Sequence, residues 1–256
     1  MSEAVGRPND ELYVADSFRV CVSRGTAEAR GLSRHIARFT TSVRSACTDL
    51  NMPFREADFE HFLRDSLTQI EKYGEGNPRL ELWGGVNQTP ELRLSLRPLP
   101  ELSESIELRS IGTDDPVLWH PERKGRNIGV FSALNRELGA EAILTNADAV
   151  AEGTTTALIW WIGSDGFISA STRRVASVTE ALICEIAENR SEQLTPTHIT
   201  ADALVECEVW AVNALHGLRT ATMLDGRPLA APDPLRLAGY RAALDRTWEK
   251  VAGIVF

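Results

Sequence analysis

The order of apolar and polar positions splits the chain into a helix-and-strand part and a longer, strand-rich part. Over residues 11–23, Phe18, Val20 and Val22 alternate with Arg19, Cys21 and Ser23, a period of two that predicts a strand. Arg24-Gly25-Thr26 carries a turn signal. The period then lengthens. Leu32, Ile36, Phe39 and Val43 share one face of a helix expected at about 30–47. Pro53 opens a second helix, about 55–73, with Phe59, Phe62, Leu63, Leu67 and Ile70 as its buried stripe, and Gly74-Glu75-Gly76-Asn77-Pro78 ends it. Strands follow at 79–83, at 92–97, where Leu92, Leu94 and Leu96 alternate with Arg93, Ser95 and Arg97, and at 105–111.

Gly112-Thr113-Asp114-Asp115-Pro116, continuing to His120-Pro121, reads as a linker. The pattern therefore predicts an α+β chain of two domains: 1–112, a linker at 113–121, and 122–256. In the second part Ile128, Phe131, Leu134 and Leu138 make one side of a helix over 127–138 that Gly139 terminates. Strands are expected at 142–145 and 157–162, then a hairpin turn at Gly163-Ser164-Asp165-Gly166 and a return strand. A helix carrying Leu182, Ile183 and Ile186 comes next, and 208–215 is a strand running into a turn. His216-Gly217-Leu218-Arg219 reads either as polar groups over a pocket or as a surface turn. Asp233-Pro234 is an N-cap with proline at the first helical position, and Leu237, Tyr240, Leu244, Trp248 and Val251 form the stripe of a last helix.

Composition narrows the function. A chain of 256 residues can bury one or two cores. A net charge of −9 argues against nucleic acid, whose phosphates need a basic face. No apolar run approaches the roughly 20 residues a membrane helix needs, and the first ten residues read as a polar tail, not a secretory signal, so a cytoplasmic protein is expected. Cys21, Cys47, Cys184 and Cys207 are scattered without a Cys-x-x-Cys pair, which predicts free thiols and no metal site.

The chemistry centres on 123–158. Lys124 stands in Arg-Lys-Gly-Arg-Asn before the helix, and Glu152 lies 28 positions on, in Ala-Glu-Gly-Thr-Thr-Thr. That interval holds a helix and a strand, so the fold can bring both residues to one pocket. A lysine amine condenses with the aldehyde of pyridoxal phosphate, and a carboxylate at the pyridine nitrogen keeps the ring an electron sink. The amine must lose its proton, which burial or the charges of Arg123 and Arg126 would favour if those arginines point inwards. Each residue also has an ordinary reading as a solvated loop charge. Arg93 and Arg97 fit either a substrate carboxylate or the wet face of a sheet.

The stretch resembles the class IV aminotransferases, the fold-type-IV family of pyridoxal-phosphate enzymes. The resemblance rests on Lys124, Asn127, the following helix and strand, and Glu152-Gly153-Thr154. It implies a smaller N-terminal α/β sandwich domain and a C-terminal domain whose barrel-like sheet is flanked by helices. It also implies that Lys124 carries the cofactor, with Asn127 nearby, and that Glu152 faces the pyridine nitrogen. His35-Ile36-Ala37-Arg38 resembles the family's early His-x-x-Arg element, which makes Arg38 the phosphate ligand, with Arg34 and Arg30 as alternatives, and leaves His35 a packing or hydrogen-bonding role. Ser177-Val178-Thr179-Glu180 stands where the family has Gly-Ile-Thr-Arg, so the backbone of Val178 and Thr179 would hold the phosphate, while Glu180 is an anion out of place. Asn213-Ala214-Leu215 lacks the hydroxyl many members place at this cofactor-binding turn and is similar to aminodeoxychorismate lyases. Ala157 replaces a usual asparagine.

Two reactions follow from the resemblance: release of pyruvate from aminodeoxychorismate to give 4-aminobenzoate, which the turn favours, or amino transfer between an amino acid and a 2-oxo acid, as in branched-chain and D-amino-acid aminotransferases. A family member that binds a ligand or partner without turnover is a further reading, prompted by the altered phosphate loop and Ala157. A homodimer is also implied. Adjacent Trp160 and Trp161 point to opposite faces of a strand, so one of them needs a second cover, a helix of its own domain or another subunit.

Overall fold

The computed structural model describes residues 11–84, 89–111 and 118–254. The tail at 1–10 and residues 112–117 of the linker region lie outside these. Its contacts divide the chain into two compact units.

The first unit holds residues up to Pro100 together with Arg123–Arg126 and the chain end from Glu249. Strand β1 (Glu11–Ser17) is followed by β2 (Val20–Ser23) and β3 (Thr26–Arg30), then α1 (Leu32–Asp49), α2 (Glu56–Tyr73), β4 (Arg79–Gly84) and β5 (Pro90–Ser95). β1, β4 and β5 form one antiparallel sheet. α1 lies against β1 and buries Leu32, Ile36, Phe39 and Val43, as its period predicts, and Phe39 stacks on Phe59 of α2 at 5.9 Å. The single strand expected over 11–23 is broken at Phe18 and Arg19, because Val20 turns to pair with Gly76 through bonds of 2.9 and 3.2 Å.

The second unit begins with β6 (Ser105–Ser110), on the N-terminal side of the expected linker. It continues through α3 (Ile128–Leu138), β7 (Glu141–Asn146), β8 (Ala149–Gly153), β9 (Ala157–Ile162), β10 (Asp165–Ser169), α4 (Val178–Asn189), β11 (Leu194–Thr197), α5 (Ala201–Leu204), β12 (Glu208–Asn213), β13 (Gly217–Leu224), β14 (Arg227–Pro228) and α6 (Pro234–Leu244). Its strands make one sheet in the order β11-β10-β9-β12-β13-β6-β7-β8, with β14 on β13. The sheet curls until its ends meet: the Val150 N–H at one end donates to Ile199 O, just beyond β11, at 2.8 Å. Leu108, Ile143, Val150, Leu158, Trp160, Val209, Ala211 and Ala221 pack together on the inner face. The outer face takes α4 and α6, and there Trp161 packs on Trp210 and Tyr240. The two tryptophans do face opposite sides, and helices of the same unit cover Trp161.

The last helix stops at Leu244. Trp248, expected on its stripe, instead opens β15 (Trp248–Lys250), which runs beside β3. The sequence 216–219 is no surface turn: β13 starts at Gly217, and Leu218 and Arg219 are buried.

Candidate active site

In the first unit the functional side chains hang from β1. The Ala15 N–H donates to the Lys124 carbonyl at 2.8 Å, and Val14 pairs with Gly125. A Cβ on residue 125 would lie 2.3 Å from Tyr13 O, so only glycine fits this approach. The neighbours of Lys124 are tied as well. Arg123 is buried and donates to Ser45 and Asp49 of α1, and Arg126 donates to Glu11 at 2.9 Å. Both positive charges are thus paired with carboxylates. Lys124 itself is half-buried.

One residue along β1, Asp16 is 1% exposed. Its Oδ2 accepts from Arg38 Nε at 2.7 Å, and its Oδ1 accepts from Arg38 Nη2 at 2.9 Å. The same Oδ1 lies 2.7 Å from His35 Nδ1. Burial pushes the Asp16 carboxyl up, but the Arg38 charge and the hydrogen bonds from His35 and Arg38 hold it well below the usual carboxylate range. An ionised carboxylate only accepts, so His35 Nδ1 carries the hydrogen. Burial lowers the His35 pKa against the pull of Asp16, which leaves a neutral ring, and the Lys124 charge adds to that lowering. Of the arginines read as carboxylate binders, Arg93 pairs with Glu91 on an exposed edge. Arg97 donates to Asn77 O and Ser17 Oγ, and burial, with Arg79 nearby, lowers its pKa.

In the second unit, strand register brings the start of β7, the end of β8, the start of β9, the end of β12 and the start of β13 to one end of the barrel. Glu152 is there, 6% exposed, its carboxylate oxygens both 3.2 Å from the Val175 N–H. That bond ties β8 to the loop leading into α4. Ser177 caps α4: its hydroxyl accepts from the Glu180 N–H at 3.3 Å. Among the described residues the N–H groups of Val178 and Thr179 meet no protein acceptor, so this buried helix start offers two donors and a partial positive charge. The Glu180 anion is matched by Arg174 through bonds of 3.0 and 2.8 Å, and burial nonetheless raises its pKa.

Asn213 Oδ1 accepts from the N–H groups of Leu215 and His216, which shapes the turn that carries Ala214. Asn127 is buried, and its amide engages the backbone of Trp119 at 3.1 and 2.9 Å. Arg219 lies on the inner face beside Ala211; its Nε is buried without a partner, and burial lowers its pKa while Glu141 opposes this. Among the described residues no cluster of His, Cys, Asp or Glu is arranged to hold a metal.

Three structural residues escape a reading by motif. Asp16 is one. The others hold the loop after Glu152. Glu141 accepts from the Thr155 N–H at 2.6 Å and from the Thr155 and Thr156 hydroxyls, while Asn135 accepts from the Ala142 N–H and Thr154 and donates to Glu141. Their only sequence signal is polarity at positions the periodicity assigns to the core.

Within the second unit a buried glutamate and a helix start open to an anion thus lie at one end of a curled sheet. Residues 14–223 match the model of amino-transferase class IV, and the chain belongs to that family of pyridoxal-phosphate-dependent enzymes. No curated protein sequence matches. Among solved structures, the fold is similar to the branched-chain amino acid aminotransferase of T.th. with pyridoxamine 5'-phosphate, at TM-score 0.77 and 18% identity over 98% of this chain and 92% of that one. It is also similar to a provisionally assigned 4-amino-4-deoxychorismate lyase from Legionella pneumophila, at TM-score 0.75 and 18% identity over 96% of both chains. A hypothetical aminotransferase from Mycobacterium tuberculosis, in a form with alpha-ketoglutarate and PMP bound, gives TM-score 0.73 and 17% identity over 96% and 94%.

Proposed function

We propose that this class IV enzyme is a lyase of the aminodeoxychorismate type, releasing pyruvate to leave 4-aminobenzoate. The observation that carries the cofactor site is the start of α4, where the Val178 and Thr179 N–H groups stand open at the barrel end that also holds Glu152. Those donors fit a phosphate. The resemblance adds Arg38 as a charged phosphate ligand and the Ala214 turn as a neighbour of the cofactor. When bound, pyridoxal phosphate supplies an electron sink for the bonds around the substrate's amino-bearing carbon. Glu152 would present its carboxylate to the pyridine nitrogen and hold a proton there. Lys124 would hold the cofactor through Nζ and then carry protons at that atom. The backbone bond from Ala15 fixes its main chain. Asn127 holds the Trp119 backbone.

The Asn213-Ala214-Leu215 turn, without a hydroxyl, favours the lyase over an aminotransferase acting on branched-chain or D-amino acids. Of the departures that prompted a non-catalytic reading, the altered phosphate loop and Ala157, the Glu180 charge in the loop is matched by Arg174, which weighs against that reading. Substrates are small molecules carrying an amino group and a carboxylate. A homodimer is part of this reading. Its support is the family alone, since Trp161 is covered within its own unit, and light scattering at micromolar concentration tests it.

Purified protein is expected to show the cofactor absorbance, and Lys124→Ala is expected to lose both that band and all turnover. Assayed side by side, aminodeoxychorismate should yield 4-aminobenzoate while a panel of amino acids with 2-oxo acids gives no transfer. Transfer without 4-aminobenzoate would reassign the enzyme as an aminotransferase. Full activity in the alanine variant would remove Lys124 from the site.

A further inference from the structure

We propose that Asp16 is a positioning residue for the cofactor phosphate, acting through Arg38. The inference rests on the reading of Arg38 as a phosphate ligand. Asp16 and His35 are each 1% exposed, whereas the Arg38 side chain keeps 16% exposure, so the carboxylate sits beneath the guanidinium and not beside it in solvent. Asp16 takes Arg38 by the edge carrying Nε and Nη2, at 2.7 and 2.9 Å. A planar guanidinium held through two bonds along one edge is fixed in its plane and direction. Without the carboxylate, Arg38 is a long, rotamer-rich side chain that must be ordered on the ligand.

His35 completes the device. Its Nδ1–H occupies the same Oδ1 that receives Arg38 Nη2, so Asp16 cannot swing away from the arginine without breaking a second buried bond. The Phe18 ring, 5.3 Å from the imidazole, packs on it. Asp16 is itself anchored by the strand, since the preceding residue donates to the Lys124 carbonyl. The carboxylate thus fixes the direction of Arg38 relative to the lysine backbone. A purely structural ion pair would stabilise the fold without discriminating between ligands that carry a phosphate and ligands that do not.

That difference is measurable. Purified full-length wild type, Asp16→Asn, Arg38→Ala and the double variant are titrated with pyridoxal phosphate and, separately, with pyridoxal, which lacks the phosphate; binding is read by quenching of tryptophan fluorescence. Arg38→Ala is expected to raise the Kd for pyridoxal phosphate about ten- to a hundredfold, and Asp16→Asn about tenfold, with pyridoxal within twofold of wild type in both. Added to Arg38→Ala, Asp16→Asn should change the Kd no further. Asp16→Glu, which keeps the charge but displaces the guanidinium by one methylene, covers the case in which the asparagine variant does not accumulate, and is expected to raise the Kd for pyridoxal phosphate at least threefold. Equal weakening of both ligands by the Asp16 variants, or a full additional effect on top of Arg38→Ala, would overturn the role of Asp16. If Arg38→Ala spares pyridoxal phosphate, the phosphate reading of Arg38 falls and the inference with it. Failure of wild type to bind either ligand would instead sink the cofactor site.

Discussion

Asp16 in the first unit and Glu180 in the second are both buried carboxylates gripped by an arginine through two hydrogen bonds. Their pKa values nevertheless move in opposite directions. Burial raises both. At Glu180 the Arg174 charge and hydrogen bond only soften that rise. At Asp16 the Arg38 charge is joined by a bond from His35, and the balance tips to a carboxyl held far below its ordinary range. Beside its arginine Asp16 has a second favourable neighbour in His35, whereas at Glu180 only Arg174 opposes burial.

The comparison is broken most directly by Asp16→Asn. Asparagine removes the charge and turns one of the two oxygens that Arg38 and His35 share into an NH2, and a loss of about 3 kcal/mol in urea unfolding at neutral pH is expected. A loss under about 1 kcal/mol would mean that Asp16 is no clamp. The stability that Asp16 contributes is present above its ordinary pKa of 3.8 and is lost as pH falls through its depressed folded value. The wild-type advantage over the variant should therefore persist to pH 4 and shrink only in stronger acid.

A third buried carboxylate sharpens the point, because Glu141 is held by neutral donors. In Glu141→Gln one of the two acceptor oxygens becomes an NH2 facing other donors, which should cost about 2 kcal/mol in thermal unfolding. A change within experimental error would show that the loop after Glu152 does not depend on this clamp. The smallest effect is expected from Glu180→Gln, about 1 kcal/mol or less at pH 7, since the amide oxygen still accepts from Arg174. Its signature lies in the pH dependence. A raised folded pKa gives stability that is present below the ordinary value of 4.5 and lost as pH rises through the folded value. Wild type should lose that increment above pH 4.5 while the glutamine variant does not. Parallel profiles would contradict the assigned direction.

Much of the architecture was legible from period alone: α1, α2, α3, β9 and β12 lie where the spacing predicts them. The misses have physical causes. The β7–β8 hairpin turns on Ala147 and Asp148, both at positive φ, 51° and 66°. Such a turn normally advertises itself with asparagine and glycine, and here it does not. β8 then reads Ala-Val-Ala-Glu-Gly, small residues mostly buried, with no alternation to detect. Trp248 keeps helical spacing with Tyr240 and Leu244, although the chain leaves the helix at Asp245 and pairs with β3. Among candidate residues, Lys124 and Glu152 stood out through local motifs. Asp16 and Glu141 did not, because what defines them is partners 14 to 22 positions away, brought in by tertiary packing.

The close approach of Gly125 to β1 has a mechanical consequence. Its missing Cβ would meet Tyr13 O, Tyr13 C and Val14 Cα, all main-chain atoms that no rotamer change can move aside. Yet the same strand grips the Lys124 carbonyl at Ala15 and Arg38 at Asp16. Lysine backbone and arginine head are therefore mounted on a common rail, three consecutive residues long. A disturbance that displaced the rail would carry both in concert, preserving their separation, whereas two independent loops would let errors accumulate. The separation of lysine backbone and arginine head is set by the stiffness of one strand.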